Sequence, residues 1–95
     1  MRLDMLTRRA AVYNEPIDVT ERRHNYFPLA FRWHGHCYRV HAVERCWTVQ
    51  KLRRDAARLC FLVRCAEGKF EVYQNLATNT WHLHRAEWQT AAGRA

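Results

Sequence analysis

The sequence predicts a mainly β protein: a small antiparallel meander of five to six strands curled into an SH3-like open barrel. Three observations lead there. Apolar and polar residues alternate with period two along Leu29–Trp33, Lys69–Gln74 and Trp81–Trp88, as half-buried strands require. Tight-turn residues separate these runs, His34-Gly35-His36 and Glu67-Gly68 among them, which marks hairpin connections. A chain of 95 residues, 48% hydrophobic and 26% charged, has the composition of one globular core.

The elements follow in order. Residues 1–14 carry no periodic signal and read as a flexible N-terminal arm; residues 15–88 form the single barrel domain; residues 89–95 are a frayed tail. Pro16–Thr20 alternates and reads as a short strand, and Arg22–Pro28 as a connection. Leu29–Trp33 places Phe31 and Trp33 on one face and Arg32 on the other. Cys37–Val49 is a long return strand. Tyr38 and Val40 keep one phase while Val43 and Trp47 leave it, so a bulge near His41–Val43 should reset the register and bend the strand. Residues 50–58 are polar and basic, a loop or a short helical turn. Leu59–Ala66 is apolar on both faces and reads as a central strand. After Glu67-Gly68, Lys69–Gln74 and Trp81–Trp88 flank the turn-rich Asn75–Thr80. The expected core is Phe31, Trp33, Val40, Phe61, Val63, Phe70, Val72, Trp81 and Leu83.

Several classes of function lose support at this level. No run approaches the roughly 20 apolar residues of a membrane helix. Met1–Arg9 lacks the apolar stretch of a secretory signal, so the expectation is a cytoplasmic protein with its four cysteines reduced. Cys60, with Cys65, lies in the apolar strand run, where a thiol packs as a small hydrophobe. The chain has no serine, and its three glycines form no phosphate-cradling loop. The nine carboxylates are scattered and mostly lie next to arginines, an arrangement that argues against a general base. His34-x-His36 and His82-x-His84 are two H-x-H pairs, but the first flanks a turn and neither has the spacing of a zinc motif. The reading is a non-enzyme without cofactor, metal or small-molecule substrate.

What remains is surface. Sixteen basic residues, fourteen of them arginine, against nine acidic ones give a net charge of +7. Arginine pairs phosphate with a planar fork and stacks on rings, so the composition points to a polyanionic partner. Arg32, Arg39, Arg45, Arg64 and Arg85 alternate with inward residues and should project from the sheet, with Tyr73, and with Tyr26 and Tyr38 as further rings. Lys51, Arg53, Arg54 and Arg58 form a second cationic group. Cations interleaved with rings on a curved sheet suit single-stranded nucleic acid. The alternative is a protein-interaction adaptor that docks on a larger assembly through a sheet edge or an aromatic patch around Trp47 and Trp88.

The strings Pro16-Ile17-Asp18-Val19, Phe31-Arg32-Trp33-His34-Gly35-His36-Cys37-Tyr38-Arg39-Val40, Phe61-Leu62-Val63, Phe70-Glu71-Val72-Tyr73 and Thr80-Trp81-His82-Leu83-His84-Arg85 together resemble a small uncharacterised bacterial domain family. That domain occurs as free-standing proteins of about this length, and a similar segment ends the catalytically dead Y-family polymerase-like subunit of the bacterial mutasome. The resemblance covers residues 15–88 and implies an accessory, non-catalytic role in DNA repair or translesion synthesis. The positions of His34 and His36 are commonly arginine in that pattern, so the two histidines read as turn residues that thin the basic surface at neutral pH. The pattern brings no binding residues with it.

Overall fold

A computed structural model describes residues 8–24, 26–50 and 56–89. Six strands follow in order: β1 (Arg8–Arg23), β2 (Phe27–Trp33), β3 (His36–Val49), β4 (Arg58–Cys65), β5 (Gly68–Asn75) and β6 (Thr80–Gln89). All pairings are antiparallel and join chain neighbours, and β1 pairs with β6 to close the barrel. Among the described residues there is no helix, and so none long and apolar enough to cross a membrane.

Two long strands turn the corners. The first half of β1 pairs with β6 and its second half, from Asp18, with β2. His36–Arg39 of β3 pairs with β2, and Val40–Val49 pairs with β4. The result is a five-stranded sheet, β1-β6-β5-β4-β3, crossed by a three-stranded one, β1-β2-β3. The bend expected in the return strand is present as two register shifts, between Val40 and Ala42 and between Val43 and Arg45. An unpaired extra residue bends and twists its strand, which lets β3 pass from one sheet into the other.

The core lies between the sheets. Phe31, Phe61, Val63, Phe70, Val72 and Leu83 are fully buried, with Trp33, Tyr38, Cys65, Trp81 and Ala86 completing the cluster and Val40 packed against it. All nine expected core residues are in or against this cluster. Tyr38, expected among the surface rings, is instead 6% exposed and stacks on Phe31 at 5.2 Å between centroids.

The chain-end and connection boundaries differ from expectation. Residues 8–14 are not an arm: they begin β1 and pair with β6 from Arg8↔Gln89 onward. Their alternation is masked in the sequence because the inward positions include Glu15, whose Oε1 accepts hydrogen bonds from Trp33 Nε1 at 2.9 Å and His34 Nε2 at 2.8 Å. A polar side chain can face inward at the end of a barrel when donors meet it. The proposed connection Arg22–Pro28 is mostly strand, and only His24–Tyr26 separates β1 from β2. Gln50, Ala56 and Ala57 are irregular and Arg58 is already strand, so the helical alternative fails there, while 51–55 lies outside the described residues. Gln89 ends β6; the remaining tail, 90–95, and residues 1–7 of the arm also lie outside them.

Turns are set locally. His34 and Gly35 both have positive φ, 53° and 76°, the pair that a two-residue hairpin of the favoured twist requires. Asn75 Oδ1 accepts from Ala77 N at 2.9 Å and Thr78 N at 3.2 Å and folds the β5–β6 loop.

All four cysteines are free, Cys60 and Cys65 buried, Cys37 and Cys46 exposed. Burial pushes the Cys65 thiol from 9.0 up to about 12, and burial likewise raises Cys60 and Tyr38. These groups stay protonated in the folded protein while their unfolded counterparts ionise near 9 to 10. The unfolded state thus releases protons first, and stability is lost as pH rises above 9 and through the folded values. Urea midpoints should fall between pH 8 and about pH 11. Cys65→Ala, although destabilised overall, should show a shallower fall; an equal slope would contradict this source of the effect.

Candidate nucleic-acid interface

Strand register determines which surface residues meet. Across the five-stranded sheet Trp47 lies opposite Cys60, Cys60 opposite Tyr73, Tyr73 opposite His82 and His82 opposite Pro16. Directly paired residues share a face. This row is on the outer face, because the neighbouring row through Phe61, Val72 and Leu83 fills the core. Cys60 and Tyr73 are only 5% and 9% exposed yet stand outside the core cluster. They form a second, external packing site.

Rings and guanidinium groups make that site. His82 stacks on Tyr73, 5.1 Å between centroids and 20° from parallel, and His84 meets the same ring edge-on at 6.5 Å. Arg58 Cζ lies 4.3 Å from the Tyr73 centroid, and Arg45 Cζ lies 4.9 Å from the Trp47 centroid. Arg58 comes from the adjacent row, and Arg45 is two residues before Trp47, on the same face of β3. A guanidinium laid over a ring is held at a fixed orientation, with N–H groups at its rim left to donate. Among the described residues neither arginine has a carboxylate partner.

Arg39 and Arg64 differ in having a carboxylate partner, whereas Arg32 and Arg85 form no ion pair among the described residues. Arg39 pairs with Glu21 at 3.3 Å, and Arg64 pairs with Glu44 at 3.1 Å. Arg32 is opposite Asp18 in the β1–β2 ladder, and Arg85 is opposite Glu71 in the β5–β6 ladder. Arg85 lies in one paired row with Arg45, through Leu62 and Glu71, and Arg64 is two residues from Leu62, so these two share the outer face of the five-stranded sheet, whereas Arg32 and Arg39 lie in the β1-β2-β3 sheet. Of the sequence-predicted site residues, the fold puts Arg45, Arg58, Arg64, Arg85 and Tyr73 on the outer face of the five-stranded sheet. Arg32 and Arg39 lie outside that face, in the three-stranded sheet. Lys51, Arg53 and Arg54 fall in 51–55, outside the described residues. Tyr73 has Arg58 and His82 on its ring and acts as a platform for them, not as an open stacking face.

Sequence reasoning assigned Trp47 and Trp88 to one patch. They belong to opposite faces: Trp88 packs against Trp33, Tyr38 and Phe70 at the core, and Trp47 is on the outside with Arg45. It missed His82 as a member of the site. The signal was period two along Trp81–His84, which sets His82 opposite the core-facing Trp81 and Leu83.

The histidine pairs are engaged separately. His36 Nε2 donates to Glu67 Oε2 at 3.2 Å, His82 Nε2 meets Thr80 Oγ1 at 3.1 Å, and His84 Nδ1 donates to Asn14 Oδ1 at 2.7 Å. No group of three or more potential metal ligands occurs among the described residues. The chain matches no family model, and neither a curated protein nor a solved structure is found to be similar to it.

Proposed function

We propose that the protein is a non-enzymatic accessory module that binds single-stranded nucleic acid on the outer face of its five-stranded sheet. One observation carries the reading: Arg45 and Arg58 are backed by Trp47 and Tyr73 on one face and have no acid partner among the described residues, unlike Arg39 and Arg64. Each guanidinium presents a preoriented fork to a phosphate oxygen pair. The half-buried Trp47 and His82 rings beside them offer apolar surface to unstacked bases. The net charge of +7 draws a polyanion to the molecule, and the two ring-backed cations fix where it lies. The family resemblance would put this binding in DNA repair or translesion synthesis, in a supporting role.

Fluorescence anisotropy with a labelled single-stranded oligonucleotide tests it. A charge-assisted hydrogen bond contributes about 1.5–3 kcal/mol, so Arg45→Ala with Arg58→Ala should weaken binding by about two to four orders of magnitude. Arg39→Ala with Arg64→Ala removes the same formal charge and should change it far less. Equal losses from the two pairs would reduce the site to general charge attraction.

A further inference from the structure

A second surface lies at the open edge of β3. β4 pairs with β3 from Val40 to Val49, whereas β2 pairs with it only from His36 to Arg39. Beyond Arg39 the edge of β3 that faces β2 has no ladder partner among the described residues. A groove of about 510 Å³ runs there, with Phe27, Leu29, Val40 and Val43 as apolar lining and Arg23, His41 and Arg45 among its polar residues. Tyr26 reaches across its end, its hydroxyl 3.4 Å from Cys46 Sγ.

We infer that this groove accepts an extended acidic segment of another protein, which adds a strand to the free edge of β3. An unpaired edge offers backbone donors and acceptors to an incoming strand. Arg45–Val49 keeps an unbroken register with β4, so this stretch is regular enough to pair again, whereas the bulges are confined to residues before it. The charge around the groove selects the occupant. Its one acid, Glu44, is already held by Arg64 at 3.1 Å and Lys69 at 3.2 Å, while Arg23 and Arg45 have no carboxylate partner among the described residues. A second copy of this chain would bring another +7 to the same edge, so self-pairing is opposed and an acidic strand with alternating apolar residues is favoured. The apolar residues would reach the Phe27–Val43 lining and the acids would meet the rim.

The test is amide NMR of the whole chain with two synthetic peptides of ordinary strand length, about six residues, alternating valine with glutamate or with lysine. The glutamate peptide should shift the amides of Arg45–Val49 and newly protect from exchange the alternate ones that face the free edge, and Arg23→Glu should weaken it severalfold. Arg58→Ala, which disables the oligonucleotide face, should leave peptide binding intact, so the two surfaces fail independently. Equal binding of the lysine peptide, or shifts confined to other strands, would each overturn the inference.

Discussion

Gly68→Ala is expected to be among the most damaging single substitutions in the protein, costing about 3 kcal/mol or more of unfolding free energy. Gly68 opens β5 with a φ of 149°, a conformation that residues with a Cβ rarely adopt. A Cβ there would run into the carbonyl oxygen of Glu87 and lie 3.0 Å from Trp88 Cα, both backbone atoms of the paired strand β6. Neither can swing away as a flexible side chain would. Relief would require β5 and β6 to separate at Gly68↔Trp88, where Gln89 N also donates to Glu67 O at 3.0 Å. Chemical denaturation of the variant should show a lower midpoint with the same slope. A loss below about 1 kcal/mol would mean that the close approach relaxes easily.

Phe61→Ala is expected to cost about 3–5 kcal/mol, a large share of the 5–15 kcal/mol that holds a typical domain together. Phe61 has no exposed surface. It projects inward from β4 and meets Phe27 of β2 at 6.0 Å, Tyr26 of the β1–β2 turn at 5.6 Å and Trp81 of β6 at 5.6 Å between centroids. One ring therefore ties the five-stranded sheet to the crossing sheet beside the open β3 groove. Truncation leaves a cavity lined by large, mutually braced rings that cannot all close in. Phe61→Leu keeps most of the volume and should cost less than half as much. Urea midpoints of the two variants check the order, and similar values for both would indicate that the rings repack.

The strands from β2 onward were legible because their inward residues are large and their turns carry marked residues. Phe31 and Trp33, Phe70 and Val72, and Trp81 and Leu83 each declare a face, and His34-Gly35 closes a hairpin between two of the strands. β1 was not legible over its first half. Its inward positions run Ala11, Tyr13, Glu15, with Asn14 at a positive φ of 52° in the middle. That stretch is a strand because β6 pairs with it, and its acid is tolerated because Trp33 and His34 reach it from the β2 end. Tertiary partners separated by many residues decide both facts.

The candidate site was legible in its chemistry and not in its membership. Arg45 and Tyr73 could be chosen by type and alternation, and Arg58 as a member of a basic cluster. Which arginine lies over which ring depends on register passed from β3 through β4 and β5 to β6, with bulges in β3 and between Glu71 and Val72. One residue of slip would put Tyr73 opposite a different partner and turn its face. The acids beside Arg39 and Arg64 are similarly distant in sequence, Glu21 and Glu44, and are visible only after the strands are laid side by side.

The most direct test of the central claim is the salt dependence of oligonucleotide affinity. Single-strand binding through phosphate contacts should weaken linearly on a log–log plot, with a slope near −0.7 per phosphate neutralised. The native protein should show that slope, and the variant lacking both Arg45 and Arg58 should show one shallower by about 1.4, two contacts' worth. An unchanged slope, or no measurable affinity of the native protein at low salt, would contradict a phosphate-binding role for these two ring-backed arginines.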